Sequence, residues 1–160
     1  MRSLAFALLF ALPLAGLAAD GGPEGAIKAL YLADQPFISG AGHGVIDSAK
    51  ARAKFLSQTA LRALAADEKA AARRGEPPTI EGDPFIDAQE ADFSDLQIVK
   101  RSADAMSAVV EADFARPNAK TREKIDYALV FERGAWRIDD MTWIRAGQPP
   151  ETLRKLLAAK

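Results

Sequence analysis

Residues 124–143, KIDYALVFERGAWRIDDMTW, are the stretch from which the fold of this chain is most directly predicted. Large apolar side chains stand at every second position before the Arg133-Gly134 pair, and the pattern resumes at Trp136 and Ile138. A period of two residues is typical of a half-buried strand, and a glycine at this position is typical of a tight turn. We therefore expect an antiparallel hairpin within a curved sheet.

The first 19 residues are predicted to be a cleaved signal peptide, which leaves residues 20–160 as a single domain. Arg2 supplies a basic start, residues 4–14 form an apolar run, and small residues near Ala18 offer a cleavage site. The run is shorter than a membrane-spanning helix needs, so we expect no span after cleavage. An exported chain without cysteine fits the periplasm of a Gram-negative bacterium or secretion from it.

Composition excludes several classes of function. The chain has no cysteine, which excludes a lipid anchor, disulfides and thiolate metal sites. Its formal net charge is −1, and removal of Arg2 with the signal peptide makes it −2. A chain with so little net charge lacks the strongly basic surface that binds nucleic acid, so no nucleic-acid partner is expected. The sequence also lacks a phosphate-binding glycine loop, and no cofactor is predicted.

Helices are predicted ahead of the sheet. The range 23–34 carries apolar residues at helical spacing, and residues 35–44, with a proline and three glycines, are predicted to form a loop. A long second helix is predicted from about residue 47 to residue 74, where Gly75 ends it.

Strands are predicted over residues 96–101 and 105–114, before the hairpin, and a short amphipathic helix over residues 151–159. The last strands are joined too tightly for a parallel crossover. The order predicts an α+β fold in which N-terminal helices pack on a curved antiparallel sheet, followed by a short C-terminal helix.

Two motifs give the chain a resemblance to a known family. The first is the Asp83-Pro84-Phe85 turn followed by Gln89, and the second is Tyr-x-Leu-Val-x-Glu, turn, Trp-x-Ile-Asp-Asp over residues 127–140. Over about residues 24–145 the sequence resembles a family of secreted bacterial proteins of unknown function. That resemblance implies the nuclear transport factor two-like fold, a cone-shaped half-barrel with a pocket between its helices and its sheet.

The resemblance leaves the function open, because this fold hosts isomerases, dehydratases, polyketide cyclases, ligand binders and protein-interaction modules. No residue matches the catalytic constellations of the ketosteroid isomerase or scytalone dehydratase branches, so no catalytic residue is carried over. We expect a non-enzymatic domain that binds a small ligand in the cone or an exported protein, and an immunity-type protein is one form of this. The alternative is an isomerase-like or dehydratase-like enzyme with an inward Asp and Tyr.

Five residues are predicted to contact a ligand: Asp83, Gln89, Tyr127, Trp136 and Asp140. Alternation along the hairpin predicts that Tyr127, Trp136 and Asp140 face the cone and that Asp139 faces outward. Asp140 could act there as a general acid or base beside Tyr127, or it could cap the strand or pair with an arginine. Asp83 could fix a turn through its own backbone contacts or join Gln89 in binding a ligand.

Other candidate residues receive structural interpretations. His43, the only histidine, stands between two glycines and is interpreted as an exposed loop residue, because no other His or Cys could complete a metal site. Trp143 alternates out of phase with Trp136, which predicts an exposed anchor for a partner. Acidic residues such as Asp126 on the outer face favour a monomer, while the fold resemblance favours a homodimer.

Overall fold

A computed structural model describes residues 21–89 and 93–158 of the chain. The predicted signal peptide lies outside the described residues. The helices are α1 (Pro23–Ala33), α2 (Gln35–Ile38), α3 (Ala49–Phe55), α4 (Gln58–Arg74) and α5 (Leu153–Ala158). The strands are β1 (Ser94–Ala103), β2 (Ser107–Arg116), β3 (Thr121–Glu132), β4 (Ala135–Ile144) and β5 (Glu151–Thr152).

The five strands form one antiparallel sheet in the order β1-β2-β3-β4-β5, with each strand beside its neighbour in sequence. This confirms the predicted α+β class, with helices first, a meander sheet and a short C-terminal helix. The predicted hairpin is present as β3 and β4. Arg133 and Gly134 have φ values of 54° and 78°. Two positive φ values in a two-residue turn match the right-handed twist of paired strands.

Helix α1 is confirmed, with Ile27, Leu30 and Tyr31 buried on one side. The prediction of one long second helix is wrong, because the segment forms two helices that are separated at Leu56 and Ser57. Leu56 instead bridges Ile138 on β4, and the Ser57 amide donates to the Ile138 carbonyl at 2.8 Å. A bond to the sheet edge therefore overrides the helical preference of this alanine-rich segment.

The other predicted boundaries differ less. Residues 35–44, predicted as a loop, begin with the short helix α2. Helix α4 ends as predicted at Gly75, which adopts a left-handed conformation with φ of 68°. The predicted helix over residues 151–159 begins as the two-residue strand β5 before α5. No helix within the described ranges has the length and apolar character needed to cross a membrane.

A β-bulge in β4 reverses the expected orientation of that strand's second half. Leu129 of β3 pairs with Ile138, but the preceding residue, Ala128, pairs with Asp140, so Asp139 is the extra residue. One extra residue changes which face every later side chain occupies. Met141 and Trp143 therefore lie on the inner face of the sheet, which the helices cover, and both are buried.

The core lies between the helices and this inner face. Alternate residues of β2 and β3 enter it, as the two-residue period predicts. Its largest fully buried side chains include Ile27 and Leu30 from α1, Phe85 from the turn before the sheet, and Phe114 and Tyr127 from β2 and β3. The turn at residues 83–88 thus contributes to the core as fully as a regular element does.

Candidate functional site

Two buried carboxyl groups meet between α1 and the turn at residues 83–88. Asp34 follows the last residue of α1 and is 0% exposed, and Asp83 begins the turn and is 2% exposed. Asp34 Oδ1 accepts a hydrogen bond from the Val45 amide at 2.7 Å. Asp83 Oδ1 accepts one from the Phe85 amide at 2.7 Å. The predicted turn-fixing role of Asp83 is therefore confirmed.

The two side chains lie close enough to interact directly, and a hydrogen bond between them requires a proton on one of them. Burial first, and then the charge of Asp34, raises the pKa of Asp83 to about 8. Burial also raises the pKa of Asp34, against the opposing effect of the Val45 amide. Among the described residues, no basic side chain forms an ion pair with either carboxyl. At neutral pH the pair therefore holds one shared proton, as closely placed buried acids generally do.

Gly44 makes room for this carboxyl pair. A Cβ atom at this position would lie 2.6 Å from Asp83 Oδ2 and 2.8 Å from Asp34 Oδ1. Both side chains are buried and accept hydrogen bonds from backbone amides, so moving their atoms aside would cost folding free energy. The glycine is therefore required by space, and its backbone is extended, with φ of −84°.

Two tyrosine hydroxyls lie in the core close to the carboxyl pair. The Tyr31 and Tyr127 hydroxyls are 2.9 Å apart, and each lies 2.9 Å from the Phe85 carbonyl oxygen. The two hydroxyls have only two protons for these three contacts. One hydroxyl therefore donates to the Phe85 carbonyl, and the other donates either to the same carbonyl or to the first hydroxyl. Burial raises the pKa of both tyrosines, and both hydroxyls remain protonated. Tyr127 faces inward as predicted, but its hydroxyl is occupied by protein groups.

A cleft of about 250 Å³ brings together two of the predicted ligand residues, Asp83 and Gln89. Arg145 crosses it and holds both oxygens of Asp87, at 2.5 and 2.7 Å, while also contacting Glu151 at 3.3 Å. Gln89 is exposed. Arg145 and Asp87 are therefore paired with each other, while Glu81 and Gln89 are exposed polar side chains that line the cleft.

The structure corrects the prediction for Asp140. The bulge places it opposite Ala128, on the face away from Tyr127. Its Oδ1 accepts from the amides of Met141 and Arg154, and the Arg154 guanidinium lies 3.9 Å from its Oδ2. Asp140 and Tyr127 therefore do not converge, and Asp140 instead binds two backbone amides and lies beside an arginine, Arg154.

Trp143 was predicted to be exposed, and this is wrong. It is 3% exposed, and its indole Nε1 donates to the Pro84 carbonyl at 2.9 Å. An interaction surface centred on Trp143 is therefore excluded. The bond instead ties the end of β4 to the turn that carries Asp83.

An exposed apolar surface lies around the other tryptophan, Trp136. Phe131 is 38% exposed and packs edge-on against Trp136, with ring centroids 5.3 Å apart. Met106 is 61% exposed, and its carbonyl accepts from the Phe131 amide at 2.8 Å. We call Met106, Phe131 and Trp136 the aromatic patch. Trp136, predicted to face inward, packs against the edge of the core, and it is only partly covered.

The outer face of the sheet carries the acidic residues that the alternation predicts there. Glu111 accepts from Arg101 at 2.5 Å and from Lys124 at 3.2 Å, and Asp113 accepts from Arg122 at 2.7 Å. His43 is also exposed, as predicted, with its Nδ1 3.6 Å from Asp47. Among the described residues, no three acidic or histidine side chains are grouped as metal ligands.

Sequence reasoning did not find the residues that form the buried cluster with Asp83. The sequence predicts Asp34 at the end of a helix, Tyr31 on the apolar side of that helix and Gly44 in a loop. Asp34 and Asp83 are far apart in sequence, and no local pattern connects them. A comparison of the chain with models of protein families, with characterised proteins and with solved structures found no match.

Proposed function

We propose that this chain is an exported, non-enzymatic interaction domain with the nuclear transport factor two-like fold, and that it binds a protein partner through the aromatic patch. The exposure of Phe131 beside Trp136 carries the proposal. Tryptophan and other aromatic residues dominate the energetics of protein interfaces, and methionine adapts to irregular partner surfaces. A toxin-neutralising immunity protein is one form that such a domain could take.

The charges around the patch indicate the chemistry of the partner. Arg133 is exposed in the hairpin turn and forms no ion pair with a described residue. The Arg137 guanidinium lies on the same hairpin and donates to the Lys54 carbonyl. A partner that presents apolar side chains ringed by carboxylates would complement both the patch and this basic rim.

The closed interior supports a non-enzymatic function over the enzymatic alternative. A catalytic pocket needs polar groups that converge on accessible space. Tyr127 is 0% exposed and its hydroxyl is engaged by Tyr31 and Phe85, while Asp140 lies on the opposite face. The groups that the enzymatic alternative requires are therefore not available to a substrate.

A photo-crosslinking experiment tests the proposal. A benzophenone amino acid would replace Phe131 in the patch or, as the control, Leu32, which is 73% exposed on α1. In the cells that produce the protein, position 131 is expected to crosslink one protein that position 32 does not. The charge reversal Arg133→Glu should lower the yield at position 131. Equal products at both positions, or none at position 131, would refute the proposal.

A second candidate function rests on the shared proton of Asp34 and Asp83. A protonated carboxyl near a tyrosine hydroxyl is a group that isomerases and dehydratases use to donate a proton. The acid would then be Asp83, in place of Asp140. Turnover of a conjugated-ketone probe that disappears in Asp83→Asn would support this function, and equal rates in the two proteins would eliminate it.

A further inference from the structure

We propose that Asp34 and Asp83 form a proton-dependent latch that closes the segment of residues 39–48 onto the turn at residues 83–88. The inference does not depend on the aromatic patch, although it concerns the same carboxyl pair as the second candidate function. It concerns how one part of the fold is held in place, and it begins from the contacts of Gly44 and Val45.

The carboxyl pair joins the two segments. Asp34 Oδ1 holds the Val45 amide, and Val45 is 2% exposed within the core. Asp83 Oδ1 holds the Phe85 amide inside the turn, whose ends are also joined by mutual bonds between Asp83 and Ala88. Gly44 packs directly against both carboxyl groups. A bond between the two acids is therefore a bond between the segment and the turn.

One oxygen of each carboxyl group is buried without a hydrogen-bond partner among the described residues. Asp34 Oδ2 and Asp83 Oδ2 are inaccessible to solvent and accept no hydrogen bond from any described amide or hydroxyl. A buried polar atom without a partner is costly, so it needs an explanation. A proton shared between the carboxyl groups satisfies the pair, because one acid then donates to the other.

The charged and titratable groups around the pair come from every neighbouring element, and none neutralises it. They are Tyr31 on α1, His43 and Asp47 on the segment, Asp87 on the turn, Arg116 on β2, Tyr127 on β3 and Arg145 on β4. Asp47 adds further negative charge, which acts on Asp34. Arg116 binds the carbonyls of Ile86 and Asp87, and Arg145 binds the Asp87 carboxylate. No described ion pair joins either arginine to Asp34 or Asp83.

Loss of the proton therefore leaves two negative charges together in a site that is buried from solvent. The bond between the acids disappears, and repulsion replaces it. Opening of residues 39–48 relieves this, because it exposes the carboxylates to water. The latch is closed in acid and released in base.

Hydrogen exchange at the Val45 amide tests the latch, because this amide donates to Asp34. With the pKa of Asp83 falling from about 8 when closed to 3.8 when open, linkage predicts a loss of protection of about 80-fold between about pH 6 and 8.5. Protection is corrected for the intrinsic pH dependence of exchange. In Asp83→Asn the Val45 amide should lose less than about threefold in protection, since asparagine can keep the bonds to Phe85 and to Asp34 without a titrating proton.

Two comparisons make the result decisive. Asp47→Asn removes an exposed acid from the same segment. In this variant, the Val45 amide should still lose protection with rising pH nearly as much as it does in the wild type. Val110, in the centre of the sheet and 0% exposed, reports global unfolding and should remain better protected than Val45. The latch is refuted if Val45 protection does not change with pH, if Asp83→Asn loses as much as the wild type, or if Val45 and Val110 exchange together at the higher pH.

Discussion

Replacement of Asp83 by asparagine should abolish most of the pH dependence of the global folding stability between about pH 5.5 and 8.5. Burial raises the pKa of Asp83 to about 8 in the folded protein, from an ordinary value of 3.8. The folded state therefore keeps a proton that the unfolded chain has released above about pH 5. Stability from this proton is fully present below the unfolded pKa and is lost as the pH rises through the folded one.

The magnitude follows from the two pKa values. Each pH unit over which only the folded state holds the proton changes the free energy of unfolding by about 1.4 kcal/mol. Integrated between about pH 5.5 and 8.5, the wild type should lose about 3 kcal/mol. Glu111 and Asp104, whose pKa values are lowered by their hydrogen-bond partners against the effect of burial, finish titrating below this range.

Asparagine at position 83 isolates the shared proton. Its side-chain oxygen can accept from Phe85 as the aspartate does, and its amide can donate to Asp34 at any pH. We therefore expect the variant to be about as stable as the wild type near pH 5.5 and more stable near pH 8.5. A substitution within a buried polar cluster that stabilises the protein in base would be difficult to explain in any other way.

Urea denaturation followed by circular dichroism, at several pH values and with fitted slopes compared, measures these free energies. Asp34→Asn should reduce the pH dependence as well, because the proton belongs to the pair. The reasoning is refuted if the wild type is equally stable across the range. It is also refuted if both variants keep the full wild-type dependence.

Three further predictions concern single substitutions measured by the same denaturation. Gly44→Ala should cost about 2–3 kcal/mol, because its Cβ would overlap two buried oxygens, whereas Gly42→Ala, which meets only an ordinary contact at 3.6 Å, should cost less than about 0.5 kcal/mol. Equal costs would contradict the crowding. Tyr127→Phe should cost about 1 kcal/mol, because Tyr31 still satisfies the Phe85 carbonyl, and a loss above about 3 kcal/mol would mean that the hydroxyl does more than this. Trp143→Ala should cost about 3–5 kcal/mol and Trp136→Ala clearly less, and the reverse order would show that the bulge is misplaced.

The sequence predicted the regular parts of the fold well, for physical reasons that are local. The alternation of β3 and the Arg133-Gly134 turn fixed the hairpin, since period and turn chemistry are properties of neighbouring residues. The helical spacing of α1 and the glycine that ends α4 were equally direct. The break at Leu56 was not predictable, because its cause is a bond to Ile138 on a distant strand.

The candidate site was predicted only in part. Asp83 was identified from the Asp-Pro step, and its turn-fixing bond was anticipated, but nothing near it in sequence indicates a second acid. Alternation continued through β4 predicts an inward Asp140, and a single bulged residue makes that prediction wrong. A bulge depends on how the strand meets its neighbours and leaves no signal in the two-residue period itself.

The sequence alone thus determined the class of fold, the hairpin and the inward direction of Tyr127. Only the tertiary structure decided that Asp34 and Asp83 share a buried site, that Trp143 is enclosed and that Trp136 is only partly covered. The physical reason is that burial, and therefore protonation, depends on which segments meet in space. Such contacts join segments that are far apart in sequence, and a local sequence pattern does not predict them.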